Sequence, residues 1–83
     1  MHYVYILESE AHAGRFYIGE TDDLKRRFKQ HNAGASIHTA NYRPWRIVWY
    51  SGFADPATAL RFEKYLKSAS GRAFQKRHLA AQA

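Results

Sequence analysis

The chain has 83 residues, no cysteine, and 13 Lys and Arg against seven Asp and Glu, a formal charge of +6. That length allows one domain with one core, and the missing cysteines exclude a disulfide framework or a thiolate metal site. A pI near 9.9 is the electrostatic footprint of a polyanion binder, while no apolar run approaches the roughly 18 residues of a membrane span.

Residues 2–8 are mostly β-branched or aromatic and read as a first strand. Met1 to Leu7 lacks the basic n-region and cleavage site of a signal peptide. With the absence of cysteine, this places the chain in the cytoplasm as an expectation, with no membrane partner. A polar turn over 9–14 ends at Gly14, and Arg15 to Gly19 reads as a second strand, antiparallel to the first because the connection is short. Thr21, Asp22 and Asp23 offer N-cap chemistry for a helix that runs to about Asn32 and is ended by Gly34. Residues 33–44 read as a loop closed by Pro44, and Trp45 to Tyr50 as a third strand followed by Gly52. Asp55-Pro56 is an N-cap with proline at the first helical position, opening a helix over about 56–69. A last helix is expected over about 71–80. The order β-β-α-β-α-α predicts an α+β domain, a small three-stranded antiparallel sheet flanked by helices.

Two helices break their own patterns. Leu24, Arg27, Phe28 and His31 follow the i, i+3, i+4, i+7 stripe that faces a core, yet they include a guanidinium and an imidazole. Both could snorkel at the sheet's edge. Ala59, Leu60, Phe62 and Leu66 define an apolar arc that contains Glu63. A carboxylate there needs a partner, which is either a metal or Lys67 one turn on. In the hairpin, Tyr5 and Tyr17 sit mid-strand and can share a sheet face with Gly19, where a missing side chain admits a backbone or ligand. Together Tyr5, Tyr17, Arg27, His31 and Glu63 are parts that phosphodiester chemistry uses: a carboxylate for a hard cation, a guanidinium for developing charge, a proton acceptor for water.

These residues resemble a known family. Val4-Tyr5-Ile6, followed by Tyr17-Ile18-Gly19, resembles the paired signature of the GIY-YIG nucleases. The first triplet keeps its tyrosine and departs at Val4 and Ile6. Asp22-Asp23-Leu24 through Arg27 to His31 resembles the family's D-L-x-x-R-x-x-x-H helix, and Ala59 to Lys64 the helix that carries its glutamate. Tyr42-Arg43-Pro44-Trp45, Val48-Trp49-Tyr50, Leu66-Lys67-Ser68 and Gly71-Arg72-Ala73-Phe74 are similar to the small stand-alone members, which are like the N-terminal domain of the excision-repair nuclease.

The resemblance covers nearly the whole chain and implies a divalent-metal-dependent endonuclease cutting DNA, structure-directed in repair or recombination. It implies Tyr5 as general base or positioner of the attacking water, supported by Tyr17. Arg27 would neutralise the scissile phosphate, His31 would assist proton transfer or contact the phosphate, and Glu63 would hold Mg²⁺ or Mn²⁺. A free tyrosine with a pKa near 10 is a poor base, and Arg27 is expected to favour its phenolate. Candidate nucleic-acid contacts are Gly19, Lys25, Arg26, Lys29, Tyr42, Arg43, Arg46 and Arg72. DNA is the expected partner, with RNA, a protein partner or a second copy of the chain left open. Larger family members add a separate DNA-binding domain, which these residues do not contain. The alternative is a non-catalytic nucleic-acid-binding module in which Tyr42 and Trp45 stack on bases, or a nuclease subunit that needs a partner. Two departures bear on rate and substrate preference: Glu20 stands where some members have lysine, and about Gln75 stands where larger members have asparagine.

Overall fold

A computed structural model of the chain describes residues 1–79. The elements are β1 (His2–Ser9), β2 (Phe16–Thr21), α1 (Leu24–Asn32), β3 (Trp45–Phe53), α2 (Pro56–Lys67) and α3 (Ala69–Phe74), the last continuing as a π-helical segment over Gln75–Leu79. The strands form one antiparallel sheet in the order β2-β1-β3. This is the expected α+β arrangement.

β1 is central and carries apolar residues on both faces, as a strand covered on two sides must. Alternation sorts them. Val4 and Ile6 pack with Ile18 against Ala59 and Leu66 of α2. Tyr5 and Leu7 pack with Trp45 against Leu24 and Phe28 of α1. The sheet therefore separates α1 from α2, and each helix has its own core.

Local chemistry sets the helix ends. Asp23 accepts from the Arg26 amide at 3.1 Å, and Asp55 from the Ala57 amide at 3.0 Å. Gly34, at φ 83°, turns the chain after α1. Pro44 follows a cis peptide bond.

Several boundaries differ from the sequence reading. β2 begins at Phe16 and runs beyond Gly19 to Thr21, because Tyr3 and Val4 of β1 pair with Thr21 and Glu20. β3 continues through Gly52 to Phe53, since Gly52 pairs with Tyr3 and its bare Cα accepts the Tyr3 ring. The 33–44 loop contains a 3₁₀ turn over Ala40–Tyr42. α2 stops at Lys67 because Ser68 caps α3, its hydroxyl accepting from the Gly71 amide at 3.1 Å. The last helix thus starts at Ala69, and the expected end at Ala80 lies outside the described residues. Leu60, expected in the apolar arc, is 43% exposed. It lies about 100° round the helix from Ala59, off the Ala59–Phe62–Leu66 face.

Candidate active site

β1 and β2 bring Tyr5 opposite Gly19 on the α1 side of the sheet. The Tyr5 phenol lies directly over the Gly19 Cα, in space a Cβ would need. From above, α1 presents His31, which is fully buried. Tyr5 Oη and His31 Nε2 are 2.8 Å apart, His31 Nδ1 and Thr39 Oγ1 are 2.8 Å apart, and Thr39 Oγ1 lies 3.5 Å from the Ser36 carbonyl. That carbonyl can only accept, which gives the chain a direction. Thr39 donates to Ser36, His31 Nδ1–H donates to Thr39, and the Tyr5 hydroxyl donates to the free Nε2.

Both titrating groups are held neutral. Burial pushes the Tyr5 pKa up to about 12, the nearby Tyr17 adds to the rise, and Arg27 pulls against it. Burial, helped by the Arg27 charge, pushes His31 down to about 4. Arg27 therefore acts on Tyr5 in the expected direction, but desolvation outweighs it. A standing phenolate is not what this site holds at neutral pH.

Tyr17 forms the next wall. Its ring centroid is 5.0 Å from that of His31 and 6.4 Å from that of Tyr5. It is half-buried, while Tyr5 is only 1% exposed. Arg27 is half-buried and donates to the Gln30 side-chain carbonyl at 3.1 Å. It lines a small polar cleft of about 190 Å³ with Thr21, Asp22, Asp23, Arg26 and Gln30. No ion pair to Arg27 occurs among the described residues. Its charge is thus available to an anion.

Three positioning residues escaped the sequence reading. Thr39 and Ser36 lie in a polar loop with no periodicity to mark them. Asn32 accepts the Trp45 amide at 2.6 Å and donates to its carbonyl at 3.0 Å, pinning the end of α1 to the start of β3. Trp45 then donates its indole N–H to the Thr39 carbonyl at 2.8 Å. This anchors the loop that orients His31. Only the [S/T] and Asn content of the loop and helix end hinted at such bonds.

Trp45 is 3% exposed, so it belongs to the core and offers no ring face to a base, contrary to the stacking alternative. Tyr42 sits beside it. The Arg15 guanidinium covers the Tyr42 ring at 4.0 Å, and the His12 and Trp45 rings flank it.

Glu63 stands apart. It projects from α2, across the sheet from α1, and its carboxylate pairs with Lys67 at 2.6 Å. The partner is the i+4 lysine that the sequence offered. The structure thus joins four of the five predicted catalytic side chains on one face, and the fifth belongs to the opposite layer. No group of three or more His, Cys, Asp or Glu side chains comes together among the described residues. Glu63 offers one hard oxygen donor set. That fits a Mg²⁺ or Mn²⁺ ion which keeps its waters and takes phosphate oxygens, and it does not fit a closed protein cage.

The remaining candidates scatter. Lys25, Arg26 and Lys29 are exposed on the outer side of α1. Arg43 donates to the Ala40 carbonyl at 2.8 Å and lies over Gly34. Arg46 pairs at 2.6 Å with buried Glu8, whose other oxygen accepts the Gly14 amide at 3.0 Å, so it closes the β1–β2 turn. Arg72 lines a cleft at the β2 edge. Glu20 lies on the sheet face opposite Tyr5 and pairs with His2. The acid that departs from the resemblance therefore sits on the other face of the sheet, and its charge adds only the smallest of the effects that raise the Tyr5 pKa.

A paired-strand tyrosine set, an Arg and His four residues apart on the next helix, and a glutamate on the helix after the third strand define a GIY-YIG nuclease domain. The chain matches the GIY-YIG catalytic domain over residues 1–78 and belongs to that family. It is 46% identical over 68 residues to the structure-specific endonuclease subunit SLX1 of Scheffersomyces stipitis, which covers 72% of this chain and 20% of that protein. The chain therefore spans about a fifth of the length of that relative. It is also 39% identical over 72 residues to a UPF0213 protein of Halalkalibacterium halodurans, covering 86% of this chain and 74% of the relative. The solution NMR structure of a UPF0213 protein from Bacillus halodurans superposes with a TM-score of 0.56 at 36% identity, covering 92% of this chain and 80% of that one. Among the described residues, no helix is long and apolar enough to cross a membrane.

Proposed function

We propose that this domain hydrolyses DNA phosphodiester bonds with the help of a divalent cation, and selects branched, nicked or flap structures rather than sequences. The observation that carries the reading is the directed Tyr5–His31–Thr39 hydrogen-bond chain beside Arg27, which makes no ion pair among the described residues. A fold alone has no use for that arrangement, since burying a phenol and an imidazole beside a guanidinium is costly unless the polar groups act together.

The charges suggest how the parts cooperate. A phosphate drawn to Arg27 neutralises the cation that helps to depress His31. His31 then becomes a better acceptor at Nε2. As an attacking water gives its proton to the Tyr5 oxygen, Tyr5 passes its own to Nε2, so no free phenolate is needed. Arg27 offsets the charge that builds on the phosphorus oxygens. Thr39 keeps the imidazole in the accepting tautomer. A cation held by Glu63 would supply further charge stabilisation at the phosphate. Structure-directed cutting is supported by the likeness to a structure-specific endonuclease subunit, and the word subunit supports a protein partner in the cytoplasm or elsewhere. RNA carries the same backbone and belongs in the same test.

One observation favours the non-catalytic reading: the Glu63 carboxylate is already paired with Lys67. A cleavage assay on labelled single-stranded, nicked, flap and branched DNA and on RNA, with Mg²⁺, Mn²⁺ or EDTA, decides between the two. Metal-dependent products are expected, lost in Glu63→Ala and Tyr5→Phe, and reduced far more by Arg27→Ala than by Lys25→Ala. Salt-sensitive binding with no product on any substrate would establish the binding module instead.

A further inference from the structure

β2 is a free edge of the sheet. Facing it across a cleft of about 480 Å³ are the end of α2, α3 and the π-helical segment. Tyr17 and Ile18 form one wall, and Lys67, Arg72, Gln75 and Lys76 the other. Three cations and no acid line it. Gln75 is the unusual member. It is 7% exposed, while its backbone N–H is bonded to the Arg72 and Gly71 carbonyls. Gln75 lines the cleft together with the three cations, and a primary amide placed there has the chemistry of a phosphate-oxygen donor.

We propose that this cleft binds a phosphate of the nucleic-acid strand next to the one being cut, so that the strand runs along the β2 edge. The proposal rests on the nuclease reading and deepens it by fixing the path of the substrate. Tyr17 is the shared wall: it contacts the His31 ring on one side and lines the cleft on the other. Position is set by the Gln75 amide, and charge by Arg72, Lys76 and Lys67. Lys67 has a second task, because its ammonium also holds Glu63. A phosphate in the cleft competes for Lys67 and releases the Glu63 carboxylate. Occupying the cleft would thus ready the metal ligand on the far side of the edge only when substrate is present.

The test is binding of a fluorescein-labelled single-stranded DNA, read by anisotropy in EDTA across a salt series. Arg72→Ala and Lys76→Ala should each weaken binding about fivefold and lower the salt slope by about 0.7. Gln75→Leu should weaken it severalfold with the slope unchanged, because it removes a donor and no charge. Arg61→Ala, an exposed cation of α2 outside the cleft, should change affinity by less than about twofold. Equal losses at Arg61, or full affinity in both Arg72→Ala and Lys76→Ala, would overturn the proposal. Should Gln75→Leu unfold by circular dichroism, the two exposed cations decide the matter. No metal or cutting enters this measurement. A chain that binds through the cleft but never cuts would sink the nuclease reading alone, and one that cuts normally with the cleft cations removed would sink the cleft alone.

Discussion

The Tyr5 phenol occupies the volume that a Cβ on Gly19 would fill. Tyr5 and Gly19 are register partners on adjacent strands, and the bare Cα admits the phenol end of the ring, whose hydroxyl reaches His31. The glycine of the second triplet thus makes room for the protein's own tyrosine. The sequence alone leaves that room open to another backbone or to a ligand.

Gly19→Ala should therefore displace Tyr5 and break its bond to His31. The ring is buried and cannot swing away freely. A loss of about 1–3 kcal/mol is expected by urea unfolding, together with a fall in cleavage larger than the stability loss explains. Unchanged stability would mean that the phenol has an alternative seat.

Thr39→Val keeps the shape and removes the acceptor of His31 Nδ1–H. The cost should be about 1–3 kcal/mol, that of an unpaired buried donor. Thr39→Ser should restore most of it. Nitrogen chemical shifts of the His31 ring distinguish the roles: Thr39→Val should disturb the Nδ1–H tautomer, and Thr39→Ser should retain it. A Thr39→Val protein with wild-type ring shifts would show that Thr39 merely fills space.

His31 makes stability depend on pH in a fixed direction. An unfolded chain takes up this proton near pH 6.5, the folded chain only near 4. Stability is then complete above the higher value and is lost as pH falls through the interval, because the unfolded state binds more protons there. Urea midpoints should drop between about pH 7 and about pH 5, and the His31 ring should show no NMR inflection near 6.5. An inflection at the ordinary value would show a solvated imidazole.

Lys67→Ala removes the competitor for Glu63. Mn²⁺ affinity measured by electron paramagnetic resonance without nucleic acid should rise at least about twofold, the scale of a helical i, i+4 pair. Glu63→Gln should abolish the bound signal. A signal that survives Glu63→Gln would place the ion elsewhere.

Much of the fold was legible because its signals are local. Asp23 and Asp55 announced their helices through cap chemistry, and the strands of the hairpin through β-branched and aromatic content. Arg27 and His31 stood out because they violate the stripe of α1. Gly52 misled, since a glycine reads as a strand end unless the Tyr3 ring that lies over it is known. Thr39, Ser36 and Asn32 carried only the general bonding capacity of their residue types. Their bonds reach to His31 and Trp45, and no local pattern encodes partners that distant in the chain.

By itself the sequence determined the order of elements, the basic surface and the identity of the candidate groups, because caps, periodicity and charge act over a few residues. Only the tertiary structure decided what those groups can do. Burial between sheet and α1 made Tyr5 and His31 neutral partners in one directed chain, since desolvation depends on everything packed around them. The sheet placed Glu63 on the other layer, and the β2 edge is where the two layers meet.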